Sequence, residues 1–533
     1  MKQGKKKQPC MSVNSVVISL YLFVMLGIFP LYYKYQYADM GDAKYKMFLY
    51  SSGICVVVFF LLSLMQVLFV NKGKVKGFQL NSLDKAVVLY YSVTLLSFLF
   101  SSFKEMGFWG ADGWSMGLLS QTLFVCIYFL VAKAWRYQKW AVGLLLTSSA
   151  MVFLIGIFHR FDVDILPIYG DLDEYYKVLF LSTMGQSSWY SSFLCTVFPI
   201  GLYLFFSSEN KKVRLLVGMY SIIAMCSLVT QNTDSAFLSL AAVLLVLFYL
   251  SFDQKERRSF VKMRWKRFVQ VIILVLGSFC LMGICQKIYA ERMIPLDSLS
   301  LFMSQSVFVW ILFVTALLIY GFLCGKEKTK NGKSPVKSRR IVFWIFLLIF
   351  GLGVAGTALF IMLNTNGYLL ERFGYQSTNN YLLFNEQWGN GRGFAWKFAV
   401  ASFAEFPILQ KLIGVGPDCF SAYIKSVPEY LEQMRNFWGD LVLTNAHNEY
   451  LTKLYNLGVV GLLSYVGMHV TAIGLFLKHR KENMLLPAFA LCTVSYMVHN
   501  IFCYEQVCCS PIFYILLGMG SNLIHKLHCK STY

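Results

Sequence analysis

The stretch TNAHNEYLTKLYNLGVVGLLSYVGM, residues 444–468, joins a polar segment directly to a long apolar run. The apolar run continues to residue 477, which is long enough for one helix to cross a bilayer core, since this takes about twenty residues. Polar and ionisable side chains are costly to keep at membrane depth. The fold suggested by this stretch is a membrane helix that follows a polar loop, and the position of His447 at their junction needs an explanation.

The composition of the whole chain agrees with a membrane protein. Of its 533 residues, 57% are hydrophobic and only 14% are charged, whereas soluble domains have about a quarter charged residues. The net charge of +21 could suggest nucleic-acid binding. We reject nucleic acid as a partner, because the basic residues occur in short runs between apolar segments and not on a folded basic domain.

About fourteen apolar segments have the length of a membrane-spanning helix. Because lipid offers no hydrogen-bond partners to the backbone, these segments predict an all-α polytopic membrane protein with about 12–14 transmembrane helices and one large folded extracytoplasmic loop. The predicted segments cover residues 12–33, 47–70, 86–103, 114–132, 140–158, 188–207, 214–230, 236–252, 268–286, 300–323, 341–363, 454–477, 485–502 and 510–525. The first is expected to remain as an anchor helix and not to be cleaved as a signal peptide.

The distribution of lysine and arginine predicts the orientation. When the connecting segments are placed alternately on two sides, one side receives roughly thirty basic and about six acidic residues. The positive-inside rule makes that side cytoplasmic, together with both termini. The predicted regions are an N-terminal bundle of about eleven helices over 1–363, an extracytoplasmic loop over 364–453, and about three further helices over 454–533.

The long loop is predicted to contain short helices around a turn. GRGFAWKFAVASFAEFP, residues 391–407, has the pattern of an amphipathic helix closed by proline, and PEYLEQMRNFW, residues 428–438, is a second candidate. LIGVGPDCF, residues 412–420, predicts a Gly-Pro turn between them. We expect His447 in the first turn of the following membrane helix, where free N–H groups and the helix dipole favour an anion such as phosphate.

Two glycines and a second histidine extend this pattern. Gly458 and Gly461 would allow a neighbouring helix to approach closely. His499 lies near the outer end of the next predicted helix, so both histidines are expected at similar depth. An ionisable residue at membrane depth indicates function; the alternative is a histidine that only forms hydrogen bonds at the interface.

Two outer arginines, Arg372 and Arg392, are not explained by topology. Arginine suits bidentate phosphate binding, and the alternative is an ion pair with Glu371 or Glu386. No spacing of cysteine, histidine or carboxylate residues demands a metal, so no metal and no cofactor is predicted.

Three motifs in this region have a familiar order and spacing. They are Gly391-Arg392 with Trp396, Pro407 with residues 414–420, and His447-Asn448 followed by Gly458 and Gly461. On this topology the chain resembles the O-antigen ligase and O-antigen polymerase superfamily of bacterial membrane glycosyltransferases, with its signature region over 364–480. The resemblance implies a multi-pass protein of the bacterial cytoplasmic membrane.

The resemblance also implies a reaction and its partners. The donor would be a glycan on undecaprenyl pyrophosphate at the outer leaflet, and a hydroxyl of a glycan or lipid acceptor would attack its anomeric carbon. Polymerisation of repeat units is favoured; ligation of a finished glycan to a lipid, wall polymer or protein is the first alternative, and a glycolipid flippase or transporter is the second. The lipid bilayer surrounds the protein, and other polysaccharide-assembly proteins are candidate partners.

The implied site residues follow from these roles. Arg392 and His447 are the predicted catalytic residues, because fixed cations stabilise a leaving pyrophosphate and an imidazole can orient or deprotonate a hydroxyl. The predicted substrate-binding residues are Arg372, Arg435, Trp396, Asn448, Glu449, His499 and Asp234. Asp234, within TQNTDSAF, stands where ligases of the family have an arginine in a similar helix start, and Arg372 or Arg435 could substitute for it.

Overall fold

The structure of the protein is a computed structural model that describes residues 13–37, 39–70, 79–170, 172–252, 258–325 and 336–531. These residues are mainly helical, with one short antiparallel pair of strands, β1 (Phe180–Leu181) and β2 (Gly185–Gln186). The predicted all-α polytopic architecture is confirmed.

The α-helices are numbered in chain order. They are α1 Val13–Phe23, α2 Met40–Met65, α3 Ser82–Phe100, α4 Lys104–Trp109, α5 Leu118–Phe129, α6 Trp140–Arg160, α7 Glu174–Leu179, α8 Ser187–Ser207, α9 Lys211–Thr230, α10 Asp234–Ser251, α11 Arg258–Ile288, α12 Ser298–Gln305, α13 Val307–Gly325, α14 Val336–Thr365, α15 Tyr368–Phe373, α16 Trp388–Glu405, α17 Ile408–Ile413, α18 Phe420–Ser426, α19 Pro428–Trp438, α20 Glu449–Lys478, α21 Leu485–His499 and α22 Ser510–Ser531. Short π-helical turns at Val24–Ile28, Gln66–Val70 and Leu130–Ala134 extend α1, α2 and α5, and 3-10 turns lie at Phe29–Leu31 and Ala290–Arg292.

Ten helices within the described ranges are long and apolar enough to cross a membrane, and three shorter apolar helices lie at Leu118–Ala134, Gly351–Thr365 and Leu485–His499. Together with α22 they overlap every predicted segment. One predicted segment, 300–323, is instead divided between α12 and α13. The division falls at Ser306, whose hydroxyl accepts the N–H of Phe308 at 3.1 Å and so starts a new helix.

Two of the three hydrophobic cores among the described residues position the site. The larger core runs through the membrane helices, and most of α8 is buried inside it, packed against α9 and α21. The smaller core belongs to the long loop, where Phe398, Phe406, Phe420, Met434 and Tyr455 pack together. The loop is therefore folded, and Tyr455 ties its core to membrane helix α20.

A break in α20 joins these two cores. Gly458 has a non-helical backbone, with φ of 69° and ψ of −173°, so the carbonyls of the preceding turn lose their helical partners. Those carbonyls accept hydrogen bonds from the turn 414–420 instead: Val415 N–H donates to Tyr455 and Gly416 N–H donates to Asn456, at 3.3 and 2.9 Å. The helix break thus provides the docking site for the loop.

The close approach at this break requires two glycines. A Cβ on Gly458 would lie 2.3 Å from the backbone of Leu412, and a Cβ on Gly414 would lie 2.2 Å from the backbone of Asn456. The close approach of a neighbouring helix at Gly458, expected from the sequence, is therefore present, and the helix that approaches is the short loop helix α17. A Cβ on Gly461 would first meet the Leu457 side chain of its own helix, at 2.1 Å.

Candidate active site

His447 lies just before α20 and not in its first turn. Its backbone has φ of 49°, a left-handed conformation that histidine tolerates better than most residues, and its N–H donates to Asn445 Oδ1 at 2.9 Å. Asn448 is the N-cap, accepting the Leu451 N–H at 3.1 Å. The expected first-turn position of His447 is therefore wrong, because the Asn448 cap starts the helix after the histidine.

Arg392 is positioned by a left-handed turn. Gly389, Asn390 and Gly391 have φ of 60°, 60° and 84°, and the turn places the Arg392 side chain against two carbonyls. Nη1 donates to Gly389 at 2.7 Å and Nε donates to Phe502 at 3.2 Å. A guanidinium has five N–H donors, so three remain for an anionic ligand after these two bonds.

The positive charge of Arg392 acts on both histidines and on Asp234. It lies close enough to interact electrostatically with His447, His499 and Asp234. Burial, and then the charge of Arg392, lower the pKa of His447 to about 3. The imidazole is therefore neutral at physiological pH. The structure brings together four of the residues predicted from the sequence.

His499 and Asp234 line the same region from two neighbouring helices. His499 ends α21 and is fully buried, with Nδ1 2.9 Å from the Ser235 hydroxyl. Its Nε2 has no hydrogen-bond partner within the described residues. Asp234 begins α10, and its Oδ2 accepts the hydroxyl of Tyr381 at 3.0 Å. Asp234 thus connects a membrane helix to the long loop.

Trp396 lies in an aromatic cluster beside Arg392. Its ring stacks on Phe502 at 5.8 Å between centroids and meets Trp388 at 5.2 Å. The indole nitrogens of Trp388, Trp396 and Trp438 are buried and have no acceptor among the described residues. Buried donors are normally paired, so three unpaired indole N–H groups in one region indicate a ligand that offers oxygen atoms.

Arg372 and Arg435 occupy a different kind of position. They lie on the short helices α15 and α19, and both side chains are exposed. Within the described ranges neither guanidinium forms a hydrogen bond or ion pair, including the alternative pairs with Glu371 or Glu386. Their substrate-binding role stays a prediction.

Glu449 belongs to a buried charge network that the sequence analysis missed. Its Oε1 lies 3.1 Å from Lys453 Nζ, which also contacts Glu505 Oε2 at 2.9 Å. Glu449 Oε2 accepts the N–H of Glu505 at 2.7 Å, and the N–H of Glu449 donates to the Asn500 carbonyl at 2.9 Å. A signal existed in the sequence, because Glu449 and Lys453 share one helix face at a membrane boundary.

A small, partly open cavity lies beside this network. Its lining includes Trp114, Asp418, Glu449, Asn456, Tyr504 and Glu505. Asp418 Oδ2 accepts the N–H groups of Ala111 and Met116 at 2.8 and 3.0 Å. Burial raises the pKa of Asp418 to about 6, although these two bonds and the charge of Lys453 lower it.

Tyr504 connects the cavity to the catalytic candidates. It lines the cavity, and its ring meets His447 edge to face at 5.3 Å between centroids. In the part of the chain that the structure describes, no group of three or more histidine, cysteine or carboxylate side chains could hold a metal ion. A metal-independent reaction stays a prediction.

Comparison with models of known protein families places this site in a matched region. The family model described as O-Antigen ligase matches residues 293–466, a range that contains Arg392, Asn448, Gly458 and His447. The superfamily resemblance indicated by the motifs is thereby confirmed. A search of curated proteins found no match to the chain.

Proposed function

We propose that this chain, in which residues 293–466 match the family model described as O-Antigen ligase, is a membrane enzyme that polymerises glycan repeat units carried on undecaprenyl pyrophosphate. The observation that carries the proposal is the arrangement of Arg392 and His447. A guanidinium with unused donors acts on a neutral imidazole next to a cavity. Transfer from a pyrophosphate donor needs a cation for the leaving group and a base for the attacking hydroxyl.

Arg392 would bind the pyrophosphate of the donor. Its bonds to Gly389 and Phe502 fix the guanidinium plane before the ligand arrives, and charge-assisted bonds to phosphate are about twice as strong as neutral ones. The nearby indole N–H groups of Trp388 and Trp396 are buried and unpaired among the described residues. They would donate to oxygen atoms of the donor sugar or its phosphate.

His447 would accept the proton of the attacking hydroxyl. The low pKa of the resting imidazole results from burial and from Arg392, so an anion bound at Arg392 offsets the second cause and makes His447 more basic. The acceptor oxygen forms a bond to the anomeric carbon while the bond from that carbon to the phosphate oxygen breaks. The hydroxyl proton goes to His447, and the bonding electron pair leaves with the lipid pyrophosphate.

The site lies at the end of the bundle where the long loop packs. That end is extracytoplasmic if the positive-inside rule is obeyed, which would give the undecaprenyl-linked donor access from the outer leaflet. Ligation to a lipid, wall polymer or protein uses the same chemistry and differs only in the acceptor. A flippase would need no base beside the cation. Variants that lose glycan transfer but still export the lipid-linked glycan would therefore support the enzyme over the flippase.

The test compares His447→Ala and Arg392→Ala in the native host, with His479→Ala as control. His479 lies at the opposite end of α20 from His447, so its replacement should leave transfer intact. At equal membrane levels, the surface glycan and the lipid-linked pool are separated by gel electrophoresis. Accumulation of short lipid-linked units with loss of long chains supports the polymerase.

Two other results would change the assignment. Long lipid-linked chains that persist unattached indicate a ligase. Unchanged glycans in both variants, or lipid-linked units that remain on the cytoplasmic side, contradict the enzyme and favour a transporter.

A further inference from the structure

The cavity beside His447 contains hydrogen-bond acceptors that the protein does not use. Glu505 and Asn456 are each 5% exposed, and both line the cavity. Glu505 Oε1 and Asn456 Oδ1 have no hydrogen-bond partner within the described residues. A buried unpaired acceptor is destabilising, so these two oxygen atoms indicate a ligand that donates hydrogen bonds.

The charges around the cavity favour the same kind of ligand. Three carboxylates, those of Asp418, Glu449 and Glu505, line it together with one cation, Lys453. Lys453 is already engaged by both glutamates. An incoming carboxylate or phosphate would therefore meet surplus negative charge and no free cation among the described lining residues. An ammonium or hydroxyl group would meet free acceptors.

Aromatic rings supply a surface for an apolar sugar face. Trp114 and Tyr504 line the cavity, and their rings meet at 4.8 Å between centroids. Tyr504 also contacts the His447 ring. A ring bound against Tyr504 would therefore lie next to the imidazole.

We propose that this cavity is the acceptor subsite, and that it selects a sugar without an acidic group, preferring a free amino group to an acetylated one. The proposal rests on the proposed transfer reaction, because it assigns the cavity to one of the two substrates. The ammonium group would donate to Glu505 Oε1 and Asn456 Oδ1, while a hydroxyl on the same ring would face His447. The donor would occupy the side of Arg392 and Trp396.

The first test is direct binding to the purified full-length chain in lipid nanodiscs. The probes are the methyl glycosides of glucosamine, N-acetylglucosamine and glucuronic acid. Their binding is measured by the quenching of tryptophan fluorescence. We expect saturation by the amino sugar at a concentration at least tenfold below that of the glucuronide, with the acetylated sugar between them. Trp114→Phe should remove most of the fluorescence change.

Two variants test the hydrogen-bond acceptors of the cavity, so that the result does not depend on the stability of a single variant. Asn456→Leu removes an unused oxygen atom while leaving the ion pairs intact, and Glu505→Gln lowers the surplus negative charge. Both should raise the concentration of amino sugar needed for half-saturation about tenfold, which corresponds to about 1.4 kcal/mol. Equal or tighter binding of the glucuronide, no saturation by any probe, or unchanged affinity in both variants overturns the proposal.

The same preparations distinguish this proposal from the proposed function. Release of undecaprenyl pyrophosphate from a lipid-linked donor is measured with His447→Ala and with Asn456→Leu. If His447→Ala abolishes release but Asn456→Leu leaves the acceptor KM unchanged, transfer stands and the acceptor subsite is wrong. If the sugars bind with the expected order but no donor is cleaved, the subsite stands and the transfer reaction is wrong.

Discussion

The Nε of Arg392 donates a hydrogen bond to the carbonyl oxygen of Phe502, which lies 110 residues further along the chain. This bond holds a side chain of the long loop on the short segment between the last two membrane helices. The geometry depends on the planar guanidinium, because Nη1 bonds Gly389 at the same time.

Replacement of Arg392 by lysine should therefore be nearly as harmful as replacement by alanine. A lysine keeps the positive charge but cannot bond both carbonyls while presenting further donors to a phosphate. We expect Arg392→Ala to lower transfer by about 10²–10³-fold, as for the loss of one transition-state donor, and Arg392→Lys to recover at most about tenfold of this. Transfer by purified protein is the measurement. Full activity of Arg392→Lys would show that charge alone suffices.

The glycine contact between the loop and α20 should be sensitive to a single methyl group. Gly458→Ala combines a Cβ 2.3 Å from Leu412 with φ of 69° and ψ of −173°, a backbone conformation essentially restricted to glycine that costs other residues about 1–3 kcal/mol. We expect a lower unfolding temperature in detergent and loss of transfer. Gly467→Ala is the matched control, since a Cβ there meets nothing within 4 Å and alanine favours a helix by about 1 kcal/mol. Equal stability of the two variants would contradict the docking role of the break.

The buried network should depend on Lys453 more than on either glutamate. Lys453→Met leaves two buried carboxylates without a cation, and removal of one partner from a buried pair typically costs about 3–5 kcal/mol. Neutralising the carboxylates as well, in Lys453→Met with Glu449→Gln and Glu505→Gln, should restore most of the lost stability. Thermal unfolding of both proteins in the same detergent is the measurement. A triple variant less stable than the single one would show that the network does more than balance charge.

The ionisation of Asp418 should determine how the KM for the acceptor sugar changes with pH on the acidic side of neutrality. Its pKa is raised to about 6, so the carboxylate gains its proton as pH falls below 6 and loses it as pH rises above 6. The acceptor KM should therefore fall as pH rises from about 5 to about 7. His447, with its pKa lowered to about 3, does not titrate in this window in the free enzyme. Asp418→Asn should flatten the profile, and an unchanged profile would assign this pH dependence to another group.

The membrane architecture was predictable because hydropathy acts over each segment separately. Every predicted span overlaps a helix, and the amphipathic pattern of residues 391–407 indicated a helix that the structure contains. The break at Gly458 was not predictable, because a glycine in an apolar run has the same pattern whether the helix continues or stops. What decides between them is the turn 414–420, which docks from elsewhere in the sequence.

The candidate site was predictable only where its residues lie in local sequence motifs. Arg392 and His447 lie in short motifs, so local sequence was enough to nominate them. Lys453 and Glu505 pair across 52 residues, and no local pattern shows that they meet. The placement of Asp418 also depends on a distant segment, since its partners Ala111 and Met116 precede it by more than 300 residues.

The anchoring of Arg392 on Phe502 has a consequence for the order in which the protein is made. A ribosome delivers residue 392 well before residue 502, so the guanidinium has no anchor until the segment between the last two helices has been made. Lys453 likewise waits for Glu505. Chains that stop before this segment therefore lack both the Phe502 anchor of Arg392 and the Glu505 partner of Lys453. The candidate site is complete only when the last two helices are in place.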